Sequence, residues 1–514
     1  MTMTFNSQPI IQELRADFEK MLDFVKGEEA RTATADHIER GLFKLLLALG
    51  AKLLTLFFAM RSEASSRQTI EKEDGVQLPY HRSTKREYFS IFGKVEIFRP
   101  YFYHKGMGGE TPLDAELSLG EDCYSDLVRE ISEYLGVDSV YHKTSGFIGS
   151  ILELHLSTRV VEANIADDAV DVDAYYAQKP APPLSKEAEI LVLQADGKGV
   201  PMILDQPAED TVRLGKGEKR GHKKEAIVTT VYTIAPKQRT PEDVVASLFK
   251  QETLSLAEKK ALQHIRPQNK RLWATLEGKD TALERLSIQV ERRKGTHIRH
   301  QVALCDGCEA LQLRIVDQFA DFTLVLDFIH ADEYLWDVAN SLFGENNPQR
   351  IDWMKDHTLQ ILAGQTQQVV AEFRRLAIAD ETKPAQRIQL DKTANYFERN
   401  LSYMDYRTYL ANGWPIASGV IEGACRHFVK DRCELSGMRW SQAGAENLLH
   451  LRAVAENGDW DDYHDFRRRK RHTRLYGTPF PCQPASENQA LDSASQRPIH
   501  QHHHDNYQKL PLAI

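Results

Sequence analysis

The sequence predicts an α/β protein in which a domain built on a β-sheet follows a mainly helical N-terminal region. The first observation is a set of short apolar runs typical of buried strands, at Ile190–Leu193, Ala226–Ile234 and Val302–Leu304. The second is that two of these runs lead into Asp-Gly, so that each places a carboxylate, Asp196 or Asp306, at the end of a strand. The third is helical periodicity on both sides of the strands, in residues 9–72 and 349–405.

Length and composition are those of an ordinary soluble chain. It has 514 residues, of which 42% are hydrophobic and 27% charged, and this length favours roughly two to four domains. The net charge of −9 means that any nucleic-acid binding has to come from local basic clusters. The six cysteines are too sparse for a disulfide scaffold and predict free thiols in a reducing cytosol. The first residues lack the features of a secretory signal, so we expect a cytoplasmic protein.

The longest apolar run extends from Leu42 to Met60. Because Lys44 and Lys52 interrupt it, we interpret it as a core helix or a helical dimer contact and expect no membrane partner. The run belongs to residues 1–79, whose periodicity predicts helices. Two interpretations of this region stay open, namely a module for dimerisation or DNA-end recognition and a plain helical hairpin.

Residues 80–165 are predicted to form a β-hairpin and short helices, and we interpret them as a DNA-binding region. The hairpin turns near Gly93, and its alternating aromatic and basic residues suit a nucleic-acid backbone, although they suit any half-exposed hairpin equally well. The helices resemble a helix-turn-helix. Lys143, Thr144 and Ser145 would lie near the exposed start of the helix that enters the major groove.

The catalytic domain is predicted to cover residues 187–460. A stretch rich in aspartate and proline, residues 166–186, precedes it and predicts a linker at the main domain boundary. Residues 461–514 follow it and are expected to form a basic segment and then a disordered tail.

Within the catalytic domain the predicted strands are Ile190–Gln194, Pro201–Leu204, Ala226–Ile234, Gln301–Leu304 and Phe322–Leu326. Residues 240–295 read as a charged helical connection. Three consecutive strands followed by a longer excursion are the way in which a ribonuclease-H-like sheet begins. A helical insertion at about 345–410 explains why 116 positions (422 − 306) separate Asp306 from Glu422.

Asp196, Asp306 and Glu422 are the candidate catalytic and metal-binding residues. Hard divalent cations prefer carboxylate oxygens, so this set predicts a site for two Mg²⁺ ions, for which Mn²⁺ can substitute. Two such ions, about 3.5–4 Å apart, activate the nucleophile and stabilise the leaving oxygen in phosphoryl transfer. Each Asp-Gly alone is more simply a turn after a strand, and only the three carboxylates together indicate this chemistry. Arg426 can offset the charge that develops on the phosphate.

Two further pairs of residues have both a structural and a functional interpretation. Lys223 and Lys224 close a basic loop, which either contacts DNA beside the first carboxylate or is a solvated surface turn. Asp327 and His330 form an Asp-x-x-His unit after the fifth predicted strand. This unit either positions a DNA strand or a flipped base, or consists of a helix-capping aspartate and a packed histidine.

Five motifs in the right order resemble the DDE transposases of bacterial insertion sequences, in particular the ISKra-type family, which is related to Mutator-like transposases. They are Gln194–Val200, Cys305–Gly307, Leu326–Trp336, Gly419–Arg426 and Ser436–Trp440. The resemblance covers about residues 80–455. It implies a ribonuclease-H-like core with an all-helical insertion and Mg²⁺-dependent cutting and joining of element ends. It also implies that Asp196, Asp306 and Glu422 are the catalytic triad.

The same resemblance implies partners and a location. The partners are DNA, as terminal inverted repeats and target, and further copies of the chain, because transposases bridge two DNA ends. The protein would be cytoplasmic and associated with the nucleoid when bound to DNA. Asp327 and His330 correspond to the (Cys/Asp)-x-x-His motif of Mutator-like relatives. The residues expected to contact DNA are His330, Asp327, Arg426, Lys223, Lys224, Arg439 and Trp440.

Three other functions are compatible with parts of the sequence. A ribonuclease-H-like nuclease would cut DNA without joining it. A domesticated, catalytically silent transposase would bind DNA only, although the presence of all three acidic residues argues against this. A helical scaffold protein would leave the strand-end aspartates unexplained.

Overall fold

The structure is a computed structural model that describes residues 7–72, 74–203, 223–249 and 265–481. The chain divides into two compact units, residues 1–125 with 468–514, and residues 126–467. This division does not fall at the linker predicted for residues 166–186. Most of the basic loop before Lys223, and the predicted disordered tail from residue 482 onward, lie outside the described residues.

The first unit combines a helical hairpin with small antiparallel sheets. Its helices are α1 (Ser7–Lys26), α2 (Ala35–Ala64) and α3 (Pro112–Glu116). Its strands are β1 (Ile70–Glu71), β2 (Gln77–Leu78), β3 (Tyr80–Ser90), β4 (Gly93–His104) and β5 (Gly108–Glu110). β1 pairs with β2, and the other three strands follow the order β3-β4-β5. The predicted hairpin is confirmed, and Gly93 adopts the positive φ, +107°, that its turn requires.

Helix α2 is long and apolar enough to cross a membrane by length and composition, and among the described helices it alone meets that criterion. Such a helix is weak evidence for a membrane protein. Only 11% of its most apolar window is buried, so the interpretation of Leu42–Met60 as a core helix is wrong. One side of α2 does bury Phe58, which packs against Val95 and Ile97 of β4. The opposite apolar side is exposed.

The second unit is built on a five-stranded mixed sheet. Its strands are β6 (Ile190–Pro201), β7 (Lys223–Ile234), β8 (Gln268–Thr275), β9 (His300–Cys305) and β10 (Thr323–Leu326). Their order is β10-β9-β6-β7-β8. β6, β7 and β8 are successively antiparallel, whereas β9 is parallel to β6 and β10 is parallel to β9. The carboxyl ends of β6, β9 and β10 therefore lie along one edge of the sheet.

Two predicted strands are placed differently in the structure. Pro201, predicted to begin a second strand that ends at Leu204, instead belongs to β6, which pairs with β7 from Ile190 through to Pro201. Leu204 lies outside the described residues. The strand that follows β7 is β8, which lies within the 240–295 segment predicted to be helical. Its residues Gln268–Thr275 form an edge strand that is buried mainly at its C-terminal end. The predicted fourth and fifth strands are confirmed as β9 and β10.

Helices cover both faces of the sheet. After α8 (Pro241–Leu248) come α9 (Lys279–Arg293) and α10 (Glu309–Gln318), which pack on the face that carries Leu191 and Leu193. The opposite face carries Ile190 and Val192 and packs against the helices that follow β10. These are α11 (Phe328–Phe343), α12 (Gln349–Leu362), α13 (Thr366–Ala377), α14 (Pro384–Asn400) and α15 (Tyr406–Ala411). The helical character predicted for residues 349–405 is confirmed.

Helices also occupy the segment in which a helix-turn-helix and a linker were predicted. They are α4 (Asp126–Asp138), α5 (Tyr141–Leu152), α6 (Thr158–Ala169) and α7 (Val172–Gln178). Tyr175 and Tyr176 are buried in α7, so this part of the chain is not an exposed spacer. Gly136 lies inside α4. A side chain at this position would meet Ile165 of α6 at 3.0 Å, so the glycine lets the two helices pack closely. Thr144 is buried as well.

The C-terminal part of the second unit contains the predicted glutamate helix. Its elements are α16 (Gly419–Ala424), a π-helix (Cys425–Lys430), α17 (Asp431–Cys433) and α18 (Gln442–Glu456). Helix α19 (Trp460–Tyr476) follows, and its residues up to Arg467 belong to this unit. The basic residues 466–472 belong to α19, and only some of them are exposed. Arg467 is buried, and it donates hydrogen bonds to Asp168 at 3.0 Å and to Asp126 at 2.9 Å.

Candidate active site

Three aspartates lie at one edge of the sheet. β6 pairs with β9 up to Gln194 and Leu304, and β9 pairs with β10 up to Cys305 and Leu326. Asp196, Asp306 and Asp327 follow one or two residues beyond these last pairs. Because adjacent strands in register are about 4.8 Å apart, the three residues are close neighbours. The predicted juxtaposition of Asp196 and Asp306 therefore follows from the register of the sheet.

Asp196 lies just after the last residue of β6 that pairs with β9, but β6 goes on pairing with β7. The prediction that the strand ends at Asp196 is therefore wrong. Its Oδ1 accepts a hydrogen bond from the Gly197 N–H at 2.6 Å, and its Oδ2 accepts one from the Cys425 thiol at 3.2 Å. Burial raises the pKa of the Asp196 carboxyl, these two hydrogen bonds oppose the rise, and the charge of Asp306 adds to it. The carboxylate is half-buried, so one side remains accessible.

Asp306 begins the loop between β9 and α10. Its Oδ1 accepts a hydrogen bond from the Cys308 N–H at 3.0 Å, which closes a tight turn at the start of the helix. Its carbonyl oxygen accepts one from Gln312 Nε2 at 3.1 Å. The side chain is half-buried, and its charge acts on both Asp196 and His330. The loop thus fixes the carboxylate at the sheet edge without covering it.

Glu422 lies on α16, which is held against the sheet by a residue of β6. Gln194 accepts a hydrogen bond from the Ile421 N–H at 3.0 Å through Oε1 and donates one to the Tyr232 hydroxyl at 3.1 Å. The Glu422 side chain is 44% exposed. Burial raises its pKa, and the charge of Asp327 raises it further. The helix that carries the predicted third carboxylate is therefore tied to the strand that carries the first.

The backbone changes from α-helix to π-helix directly after α16, at Cys425. Single-turn π-helices of this kind often occur at functional sites because they redirect side chains. Here the π-helix begins with the cysteine whose thiol reaches Asp196. Burial raises the thiol pKa, so Cys425 stays protonated and can act as a hydrogen-bond donor. It supplies a second link between the first strand and the glutamate segment.

The Asp-x-x-His unit forms a hydrogen-bonded pair between a buried aspartate and a partly exposed histidine. Asp327 is fully buried and caps α11, with its Oδ1 accepting from the Ile329 N–H at 3.2 Å and the Ser418 N–H at 3.0 Å. Its Oδ2 accepts from His330 Nδ1 at 2.6 Å and from Ser418 Oγ at 2.8 Å. This hydrogen bond raises the pKa of His330 to about 9. The Nδ1 of His330 is 3.9 Å from Glu422 Oε1.

The donor set fits a divalent cation. Asp327, His330 and Glu422 each place a ligand atom within 4.8 Å of the others, but the hydrogen bonds that the buried Asp327 accepts hold helix ends and the histidine. Asp196, Asp306 and Glu422 are carboxylates with accessible sides, which suits Mg²⁺ better. Among the described residues, these three do not form a cluster with all ligand atoms within 4.8 Å. Cation binding by all three carboxylates would therefore require side-chain rotation within the site.

We predict that Gln194→Ala weakens divalent-cation binding without unfolding the protein. The substitution removes the acceptor for the Ile421 N–H, so the helix that carries Glu422 loses one of its two links to β6 and keeps the Cys425–Asp196 contact. Loss of a residue that orients a metal ligand typically reduces metal affinity about 10–100-fold, and Mn²⁺ titration calorimetry would measure it. Tyr232→Phe is the matched control, since it removes the other partner of Gln194 but leaves the Ile421 link. Unchanged Mn²⁺ affinity in Gln194→Ala would contradict this role.

The residues predicted to contact DNA differ in accessibility. Arg426 and Arg439 are exposed. Lys223 forms an ion pair with Glu434, and Lys224 donates to Gln442 at 2.7 Å. His330 is partly exposed above the carboxylates. These five side chains remain candidates for phosphate contacts.

Two of the residues predicted to contact DNA, Trp440 and Asp327, are buried, so these two predictions are wrong. Trp440 is only 7% exposed, and its indole Nε1 donates to the Cys433 carbonyl at 3.0 Å. Its ring packs beneath the Arg432 guanidinium. Trp440 is therefore a core residue, which also pairs through its backbone with Pro201 at the end of β6. Asp327 is fully buried and acts through His330.

Sequence reasoning missed an aromatic and cationic groove next to Asp306. Tyr334 and Tyr396 stack with ring centroids 3.9 Å apart, and the cationic groups of Lys392 and Arg399 lie 5.1 and 5.6 Å from the two rings. Arg399 also donates to the carbonyl of Gly307 at 2.7 Å. A side chain at Gly307 would meet the Tyr396 ring at 2.3 Å, so only glycine fits between Asp306 and this ring. Lys392, Tyr396 and Arg399 lie on α14, but Tyr334 lies on α11, so the sequence does not display the contact that brings them together.

Comparisons with known proteins give little further information. No protein-family model matches the chain, and no curated protein sequence matches it. Among solved structures, the chain is similar to the Drosophila P element transposase strand transfer complex. The identity is 9% and the TM-score 0.24, and the alignment covers 71% of this chain and 86% of that chain. A TM-score this low does not establish a common fold, so a function has to be argued from the site itself.

Proposed function

We propose that this protein is a DNA transposase of the ISKra type, which cuts the ends of a bacterial insertion sequence and joins them to target DNA. The observation that carries the proposal is the placement of Asp196, Asp306 and Glu422. The two aspartates lie side by side where β6 stops pairing with the parallel strand β9, and the glutamate lies on a helix bonded to β6. Three carboxylates gathered in this way support two-metal phosphoryl transfer as the proposed reaction.

The topology of the sheet supports a ribonuclease-H-like core. Three successive antiparallel strands, β6, β7 and β8, form one half of the sheet. The other half consists of β9 and β10, which are added parallel to β6 on its free side. A helical region between β10 and Glu422 agrees with the all-helical insertion that the family resemblance implies.

The chemistry divides between the cations and the chain. Two Mg²⁺ ions, or Mn²⁺ in their place, would supply activation of the attacking oxygen and stabilisation of the leaving oxygen. Asp196 and Asp306 would hold them from the sheet, and Glu422 would complete the site from α16. His330, whose pKa is raised to about 9 by the hydrogen bond to Asp327, is protonated at pH 7. It can therefore donate a hydrogen bond to a phosphate oxygen beside the carboxylates.

DNA is the proposed partner, in the form of the terminal inverted repeats and the target. Arg426, Arg439, Lys223 and Lys224 would contact phosphates near the site. The groove formed by Tyr334, Tyr396, Lys392 and Arg399, which Asp391 also lines, lies between α11 and α14. Aromatic rings combined with cations suit nucleic acid. The protein would act in the cytoplasm as an oligomer, since two ends have to be joined.

The proposal is tested with labelled duplexes taken from the DNA that flanks the coding sequence. We expect the wild-type protein to nick these duplexes and to join the released end to a second plasmid when Mg²⁺ or Mn²⁺ is present. Chelation with EDTA should stop both steps while leaving DNA binding in a mobility-shift assay. A duplex of unrelated sequence is the control and should not be joined.

Three other results of this experiment would contradict the proposal, and two of them would favour a different function. Cutting without joining, at any sequence, would favour a ribonuclease-H-like nuclease. Specific binding without cutting in either metal would favour a catalytically silent, domesticated transposase. Neither binding nor cutting of DNA would overturn the proposal altogether.

A further inference from the structure

Helix α2 carries a continuous stripe of exposed apolar side chains that no contact within the first unit explains. Phe43, Leu46, Leu53, Phe57 and Met60 are each between 42% and 54% exposed. Soluble monomers rarely expose a contiguous apolar surface of this kind unless it binds something. The stripe lies outside the residues that the proposed function uses.

The stripe has the spacing of a coiled-coil seam. Its positions, 43, 46, 50, 53, 57 and 60, alternate steps of three and four residues, as the a and d positions of a heptad do. Gly50 fills the third position, and the ring of Phe92 from the hairpin covers it, since a side chain at Gly50 would lie 2.4 Å from that ring. Phe92 is itself partly exposed. The seam is therefore apolar over all six positions, a length of about 26 Å at 1.5 Å per residue.

The other sides of α2 are already occupied. Phe58, Ala59 and Ser62 are buried. Lys52 forms ion pairs with Glu13, at 3.3 Å, and with Asp17 of α1. Insertion into a membrane would require these contacts to break and a charged lysine to enter the lipid, which is costly. A partner that covers only the seam leaves all of them intact.

The charges at the two ends of the seam favour a second copy of this chain in antiparallel orientation. Asp36 and Glu39 continue the same heptad positions toward the N-terminus, and Arg61 and Arg67 lie at the other end. In a parallel pair the two acidic residues would face their own copies. In an antiparallel pair centred between residues 51 and 52, Asp36 would lie opposite Arg67, which follows the end of the partner subunit's α2, and Glu39 would lie opposite Ala64, so the like charges are kept apart. Arg61 is already paired with Glu116. Phe43 would then face Met60, and Leu46 would face Phe57.

We propose that α2 mediates an antiparallel dimer of this protein through the seam formed by Phe43, Leu46, Gly50 with Phe92, Leu53, Phe57 and Met60. The seam is self-complementary under a two-fold axis, as a symmetric homodimer contact has to be. The inference is independent of the proposed DNA chemistry, because no residue of the seam belongs to the second unit.

Light scattering coupled to gel filtration of the full chain tests the proposal. We expect a dimer for the wild type. Leu53→Glu and Phe57→Glu place carboxylates in the apolar contact and should each weaken dimerisation by at least about 100-fold. Leu313→Glu, at an exposed leucine of α10, is the matched control and should remain dimeric. Circular dichroism of each variant checks that the helices persist.

A second measurement fixes the orientation and the partner. Mixing the Leu46→Cys and Phe57→Cys proteins should give a disulfide between the two copies that neither protein forms alone, since only the antiparallel pair places these positions together. A monomeric wild type would overturn the proposal. If the monomeric wild type floats with phosphatidylglycerol vesicles and Leu53→Glu does not, the seam binds lipid, and the proposed dimer is likewise overturned. A dimer that survives both glutamate substitutions would overturn it as well.

Discussion

Asp196→Asn and Asp306→Asn are expected to reduce Mg²⁺-dependent cleavage of a DNA end on the order of 1,000-fold or more. Each substitution removes a charge that would hold a cation while keeping the size of the side chain. The half-buried Asp196 accepts hydrogen bonds from Gly197 and Cys425, and asparagine can keep at least one of them, so the fold should persist. DNA binding should change by less than about threefold, because the phosphate contacts lie on other side chains.

Glu422→Gln should reduce Mg²⁺-dependent cleavage by a comparable factor. Two further substitutions test whether the effect is specific to the three carboxylates. Asp317→Asn, at an exposed position of α10, should cleave at the wild-type rate. Glu333 is also exposed, and its charge acts on both Glu422 and His330. If Glu333→Gln abolishes cleavage while Glu422→Gln retains it, the third carboxylate is Glu333 and the assignment of α16 is wrong.

Asp327→Ala is expected to lower the free energy of unfolding of the second unit by about 3–5 kcal/mol, the usual cost of removing one partner of a buried charged pair. The Asp327 carboxylate accepts four hydrogen bonds that join the end of β10 to His330 and Ser418. Its removal leaves these donors unpaired in a buried site. Urea denaturation followed by tryptophan fluorescence measures the change, and Ser418→Ala, which removes a single donor, should cost much less.

The same pair predicts how stability depends on pH. His330 has a pKa of about 9 in the folded protein and about 6.5 when unfolded. The contribution of the His330–Asp327 pair to the free energy of unfolding is therefore fully present below about pH 6.5 and is lost as the pH rises toward 9. In EDTA, the wild type should lose stability across this window relative to Asp327→Asn, whereas Ser418→Ala should behave like the wild type. An identical pH profile for wild type and Asp327→Asn would show that the pair does not set the pKa of His330.

The strands that carry the aspartates could be predicted because their signals are local. A short apolar run followed by Asp-Gly identifies Asp196 and Asp306 without reference to the rest of the chain. The signal was less reliable at the boundary, because Gly197 and Gly199 read as a turn although β6 continues through both of them. Pairing with β7 over the full length of the strand decides the outcome there.

Other features depended on contacts that a sequence does not display. β8 reads as a helix because its residues Gln268–Thr275 are polar and charged at one end, yet they pair as the edge strand beside β7. Trp440 was predicted to contact DNA, and Arg467 belongs to the predicted basic segment. Both are buried, and Arg467 donates hydrogen bonds to Asp168 and Asp126. In each case a partner distant in sequence overrides the local pattern.

The residues that assemble the site were likewise invisible in the sequence. Gln194 lies two positions before Asp196 and looks like an ordinary polar residue in an apolar strand. Its role depends on the Ile421 N–H, 227 positions away. Cys425 reaches Asp196 across 229 positions. A buried glutamine in a strand that is otherwise apolar was the one available signal, since buried amides need partners.

Mn²⁺ binding measured by electron paramagnetic resonance tests the central claim most directly, because it asks whether Asp196, Asp306 and Glu422 form one metal site. We predict that the wild-type protein binds a pair of Mn²⁺ ions close enough to give a spin-coupled spectrum. Asp306→Asn and Asp196→Asn should abolish the coupling, while Asp317→Asn should retain it. If the two aspartate variants bind Mn²⁺ with the same stoichiometry and spectrum as the wild type, the carboxylates at the sheet edge do not hold the metal, and the account of the site is wrong.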